Sequence, residues 1–70
     1  MNEMDMVQEL LAEIDEGNTL LATFEDGEYA VWVDYGHKTS TAPYEGVTQD
    51  ELDAVVKQFP DKVTIRHLAG

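Results

Sequence analysis

Asp26-Gly27 stands between two runs of alternating character, "TLLATFE" (19–25) and "EYAVWVDY" (28–35). An Asp-Gly pair between such runs is the strongest short-range signal of a β-hairpin, because a two-residue turn with positive φ at both centres matches the twist of paired strands. Direct pairing across that turn sets Phe24 opposite Tyr29, Ala22 opposite Val31 and Leu20 opposite Val33. These residues form one apolar face, which needs a cover. The other face takes Thr19, Leu21, Thr23, Glu25, Glu28, Ala30, Trp32 and Asp34. The single Trp of the chain therefore falls among carboxylates.

Two amphipathic segments supply the cover. Val7, Leu10, Leu11 and Ile14 recur at helical spacing and predict a helix over 3–16, with Asn2 as its cap and Gly17 at the left-handed position that ends it. In "VTQDELDAVVKQFP", Leu52, Val55, Val56 and Phe59 repeat the same template, and Pro60 stops the helix. Thr48 and Glu51 make a capping box, with Val47 and Leu52 placed as a hydrophobic staple. "KVTIRHL" (62–68) reads as a last strand, and "GHKTSTAPYEGV" (36–47) as a long loop. The expected architecture is one small α+β domain over 1–70 in the order α-β-β-α-β. A three-stranded, mainly antiparallel sheet carries two helices packed on one face. The last strand can pair with either strand of the hairpin.

Seventy residues make one modest core, and without Cys neither disulfides nor thiolate zinc sites can staple it. The apolar runs are far short of the roughly 20 residues that span a membrane. Met1 leads into acidic residues, so no leader peptide is expected and a cytoplasmic location is.

Catalytic chemistry finds no footing. Ser40 is the only Ser, lies near His37 in a polar loop, and belongs to no nucleophile motif. "GHKT" lacks the glycines of a phosphate-binding loop, since His37 and Trp32 occupy those positions. Neither "DEGN" nor "DYGHKTSTAPYE" has the alternating acids and central Gly of a calcium loop. His37 and His67 are too few to make a zinc site. The expectation is a protein that is not an enzyme, with no catalytic, cofactor-binding or metal-binding residues.

Charge is the louder signal. The net charge is −11, and residues 1–36 hold ten Asp or Glu with no Lys or Arg, whereas residues 37–70 hold five acids and all four bases. Asp5, Glu9, Glu13 and Glu16 form one stripe on the first helix, opposite its apolar face. Like charges four apart cost a helix about 0.2 to 0.5 kcal/mol per pair, and acids in its last turn oppose the helix dipole. On this reading Lys at any of these positions would stabilise the helix. Local rules broken without a structural gain mark the expected functional surface. It comprises Asp5, Glu9, Glu13 and Glu16 on the helix, with Glu25, Asp26, Glu28, Trp32 and Asp34 on the hairpin. A Trp beside carboxylates suits a basic partner with an apolar notch. The competing reading is that Trp32 lies under the loop, covered by Tyr35, Pro43 and Tyr44, or stands at the sheet edge.

Carboxylates can stand in for phosphates. Residues four apart on a helix rise by about 6 Å, while each DNA strand carries a charge every ~3.4 Å. One helix stripe is thus about half as dense as one strand, and the hairpin must supply the rest. In size, charge and lack of motifs the chain is similar to the small acidic inhibitors encoded by bacteriophages. Those proteins block nucleases, restriction systems or CRISPR complexes, some as DNA mimics. The resemblance implies an anti-defence inhibitor acting in a host cytoplasm. Its partner would be a basic nucleic-acid-binding protein or complex, with no direct contact to nucleic acid or membrane, and it would act as a monomer or homodimer. The alternative is a salt-adapted cytosolic domain whose acidity serves solvation.

Overall fold

Helix α1 (Glu3–Asp15) opens a computed structural model that describes the backbone of residues 3–67 and the side chains of residues 5–66. The expected cap Asn2 and strand residue Leu68 lie outside these described residues. Val7, Leu10 and Ile14 of α1 are buried, as their spacing requires. Gly17, at φ 98°, ends the helix: its N–H donates to the Ile14 carbonyl at 2.9 Å and the Asn18 N–H to the Glu13 carbonyl at 3.2 Å. This is a Schellman cap, and the left-handed residue at its centre explains the glycine.

Strands β1 (Thr19–Glu25) and β2 (Glu28–Asp34) pair antiparallel in the expected register, Phe24 with Tyr29, Ala22 with Val31 and Leu20 with Val33. Asp26 and Gly27 both take positive φ, 51° and 83°, the signature of the type I′ turn. Phe24 and Tyr29 meet as tilted rings 5.0 Å apart.

The sheet has four strands where three were expected. Tyr44–Val47, read from the sequence as loop, forms β3 along the free edge of β2. Its pattern is too short and too rich in Gly and Pro to announce a strand, and the unpaired edge of β2 supplies what local propensity does not. Tyr29 faces Val47 and Val31 faces Tyr44, so β3 uses one residue more than β2 between the same two rungs. This is a β-bulge around Glu45 and Gly46. Upstream, the Ser40 N–H donates to the Val33 carbonyl and Ser40 Oγ accepts from the Val33 N–H, at 2.8 and 3.0 Å, which extends the pairing of β2 to its end.

Helix α2 (Gln49–Gln58) starts on the expected capping box: Thr48 Oγ1 accepts from the Glu51 N–H at 3.2 Å, and Glu51 Oε1 accepts from the Thr48 N–H at 2.8 Å. That reciprocal pair accounts for Glu51 being buried, only 8 % exposed. Val47 and Leu52, the staple, are both fully buried. α2 then carries the chain across the sheet to β4 (Val63–His67), which runs parallel to β1 at the far edge, giving the order β3-β2-β1-β4. The core joins Val7, Leu10, Ile14, Leu52 and Val55 of the helices to Leu20, Ala22, Tyr29, Val31, Val33 and Val47 of the strands. The β1 and β2 members all belong to one face, so both helices cover that face and the opposite one carries no helix among the described residues.

Candidate functional site

The acids named from the sequence fall in three places. On α1, Asp5 and Glu9 are exposed, and the last turn has no base; Glu16, expected on the helix, is exposed in the turn just past its end at Asp15. Glu13 differs. It is half-buried, and its Oε2 accepts the Tyr44 hydroxyl at 2.9 Å while Oε1 accepts Asn18 Nδ2 at 3.4 Å. The reading that Lys anywhere in the stripe would stabilise the helix is corrected here, because Glu13 ties α1 to β3. Tyr44 registers the same contact: partial burial, the Glu13 hydrogen bond and the nearby Glu13, Glu9 and Tyr35 push its hydroxyl from 10.0 up to about 12.

At the hairpin tip, Glu25 and Glu28 stand directly opposite each other across the turn. Like charges so placed oppose strand pairing. With Asp26 they rim a shallow hollow of about 200 Å3 that Tyr29, Ala30, Glu45 and Gly46 complete. Glu45 was missed from the sequence because it sat inside a presumed loop. Its strand position next to Tyr44 puts it in this hollow, while Tyr44 itself reaches Glu13 on the helix side. β3 is thus the seam between the two acidic groups.

Trp32 and Asp34 occupy the bare face. Trp32 is half-buried and pairs across the sheet with Leu21, whose other neighbour in register is Thr64 on β4. The next row is Ala30, Thr23 and Arg66. Asp34 Oδ1 accepts the Gly36 N–H at 2.8 Å, so one of its oxygens shapes the turn that follows β2. The residues expected to cover Trp32 turn the other way: Tyr35, Pro43 and Tyr44 line, with Glu13 and Val33, a hollow of about 170 Å3 on the helix side.

Among the described residues no three His, Asp or Glu side chains are grouped to hold a metal ion, and no helix is long and apolar enough to cross a membrane. The arrangement offers exposed carboxylates and a half-buried aromatic. No protein-family model matches the chain, and comparison with curated proteins and with solved structures gave no significant match.

Proposed function

We propose that this chain is a small acidic inhibitor that engages the basic nucleic-acid-binding surface of a partner protein, in the manner of phage-encoded anti-defence and anti-CRISPR proteins, some of them DNA mimics. One observation carries the reading. The segment that builds α1 and the hairpin contains ten acids and no Lys or Arg, and Asp5, Glu9, Glu16, Glu25, Asp26 and Glu28 all stay exposed on it. A surface of that sign attracts basic grooves and repels nucleic acid and anionic membranes.

The test is capture of partners from a lysate of the cell that receives the protein, at about 50 mM and about 500 mM salt, a span over which exposed charge pairs become strongly screened. A nucleic-acid-binding protein held at low salt and released at high salt is the expected result, with loss of capture when Glu9, Glu25 and Glu28 are changed to Lys. Glu13 is left out of that variant because it holds Tyr44. Capture of nothing at either salt ends the inhibitor reading for that cell.

Asp50, Asp53 and Asp61, exposed and outside α1 and the hairpin, favour a second reading, in which the charge is an adaptation to a salty cytoplasm. The two readings part in dilute buffer. A salt-adapted domain unfolds there through self-repulsion, and an inhibitor from an ordinary cell stays folded.

A further inference from the structure

Every residue that faces away from the helices on β1 and β2 between Thr19 and Thr23 and between Ala30 and Asp34 is only partly buried. Trp32 and Leu21 lie at the middle of that face, with Ala30 and Thr23 beside them. Its ends are acidic: Glu25 and Glu28 at the turn, Asp34 at the other end of β2. Residues on one face of a strand recur every ~6.6 Å, so Asp34 stands one repeat from Trp32 and Glu28 two repeats on the other side. One base, Arg66, borders the face on β4 among its described strand residues.

An aromatic ring flanked by negative charges at intervals has a counterpart in single-stranded nucleic acid and none in a duplex. A duplex presents phosphates outside and keeps its bases stacked within. Proteins that hold single strands combine a positive groove that tracks the backbone with aromatic platforms on which bases stack. A second copy of this chain is a poor occupant, since each carries −11 and both faces have acidic ends. Resting on the inhibitor reading above, we infer that the bare sheet face docks into the groove of a single-strand-binding protein, with Trp32 in the place of a base and Glu25, Glu28 and Asp34 in the place of phosphates.

The experiment uses the protein retained at low salt on the immobilised chain. Competitors are an oligothymidine of about 16 nucleotides and a duplex of matching length, the upper end of the site size such grooves cover. Oligothymidine is expected to release the partner at a concentration at least about tenfold below that of the duplex. Trp32→Ala, shown folded by circular dichroism, is expected to weaken retention about tenfold or more, the scale of one lost base–aromatic stack. Trp32→Phe should restore part of it. Thr23→Lys leaves the ring intact, places a cation on the same face, and should weaken retention too. Release by the duplex at equal or lower concentration overturns the proposal, as does retention indifferent to both Trp32→Ala and Thr23→Lys. In either case the inhibitor reading stands if Glu9→Lys with Glu25→Lys still abolishes capture. Capture of no partner removes both.

Discussion

The two faces of the central hairpin are cut from the same strands, residue by residue in alternation, and they meet different fates. Leu20, Ala22, Val31 and Val33 are buried under the helices. Thr19, Leu21, Thr23, Ala30, Trp32 and Asp34, one step along in each case, remain half open. The largest apolar side chain of the chain is on the open face, and the closed face is built of aliphatics of modest size with Tyr29 and Phe24. Burial therefore follows which side the helices take, and the side chain with the most to gain from burial is left partly in water. A small chain with two helices covers one side of a sheet, and whatever apolar surface sits on the other side is available to a partner.

The sharpest way to break this contrast is truncation on each side. Leu10 is fully buried, and Leu10→Ala is expected to cost about 2 to 5 kcal/mol. A domain of this size has roughly 5 kcal/mol, so the variant should lose from about two fifths to all of its stability. Leu21→Ala, on the open face, should cost about 1 kcal/mol, since only part of the side chain leaves water. Urea titrations followed by circular dichroism give both values. Equal losses would mean that the open face is core after all.

At the α2 start, Thr48→Ala is expected to cost about 1 kcal/mol, because it leaves the Glu51 N–H without its side-chain acceptor, while the bond from the Thr48 backbone N–H to Glu51 Oε1 is kept. The same urea titration measures it. This cap belongs to the part of the fold that was legible in the amino-acid order. So were the hairpin register, both helices and the Gly17 stop, because each rests on neighbours within a few residues. β3 was not legible, since its pairing partner β2 lies 15 or so residues upstream and the segment's own Gly and Pro argue for a loop. The place of β4 beside β1 was equally hidden, because either hairpin strand offered an edge. In the candidate site, the exposure of Asp5, Glu9 and the tip acids followed from periodicity. The engagement of Glu13 by Tyr44 and the presence of Glu45 at the tip both came through β3, so one missed strand concealed both.

The Tyr44–Glu13 bond also distinguishes regions, since it anchors β3 to the first helix. Tyr44→Phe should cost about 1 kcal/mol at neutral pH, the usual worth of a partly exposed hydrogen bond. Its pH dependence has a definite sign. The folded hydroxyl titrates near 12 against 10.0 for the ordinary group, so the unfolded chain loses that proton first. The stabilisation is full below pH 10 and is lost as pH rises through 12. The advantage of wild type over Tyr44→Phe in urea should therefore shrink between pH 10 and pH 12. A constant gap would show that the hydroxyl is not held by Glu13. Glu13→Lys should likewise destabilise by about 1 kcal/mol, having lost the same acceptor.

The smallest effect is the most discriminating, because it sets two acids one helical turn apart against each other. Glu9 is exposed on the same stripe as Glu13 and has only a like charge to offer it. Glu9→Lys replaces that repulsion with an opposite-charge pair at four residues' spacing, and should stabilise the fold by about 0.2 to 0.5 kcal/mol. The gain should fade in about 0.5 M salt, where screening reaches only a few ångströms. Glu13→Lys carries the same charge change and the opposite sign. If both substitutions stabilise, the stripe is a matter of charge alone and the Tyr44 anchor contributes nothing. If Glu9→Lys stabilises and Glu13→Lys does not, then Glu9 is kept acidic at a small cost in stability, as a residue facing a basic partner would be, and Glu13 is acidic because β3 hangs from it.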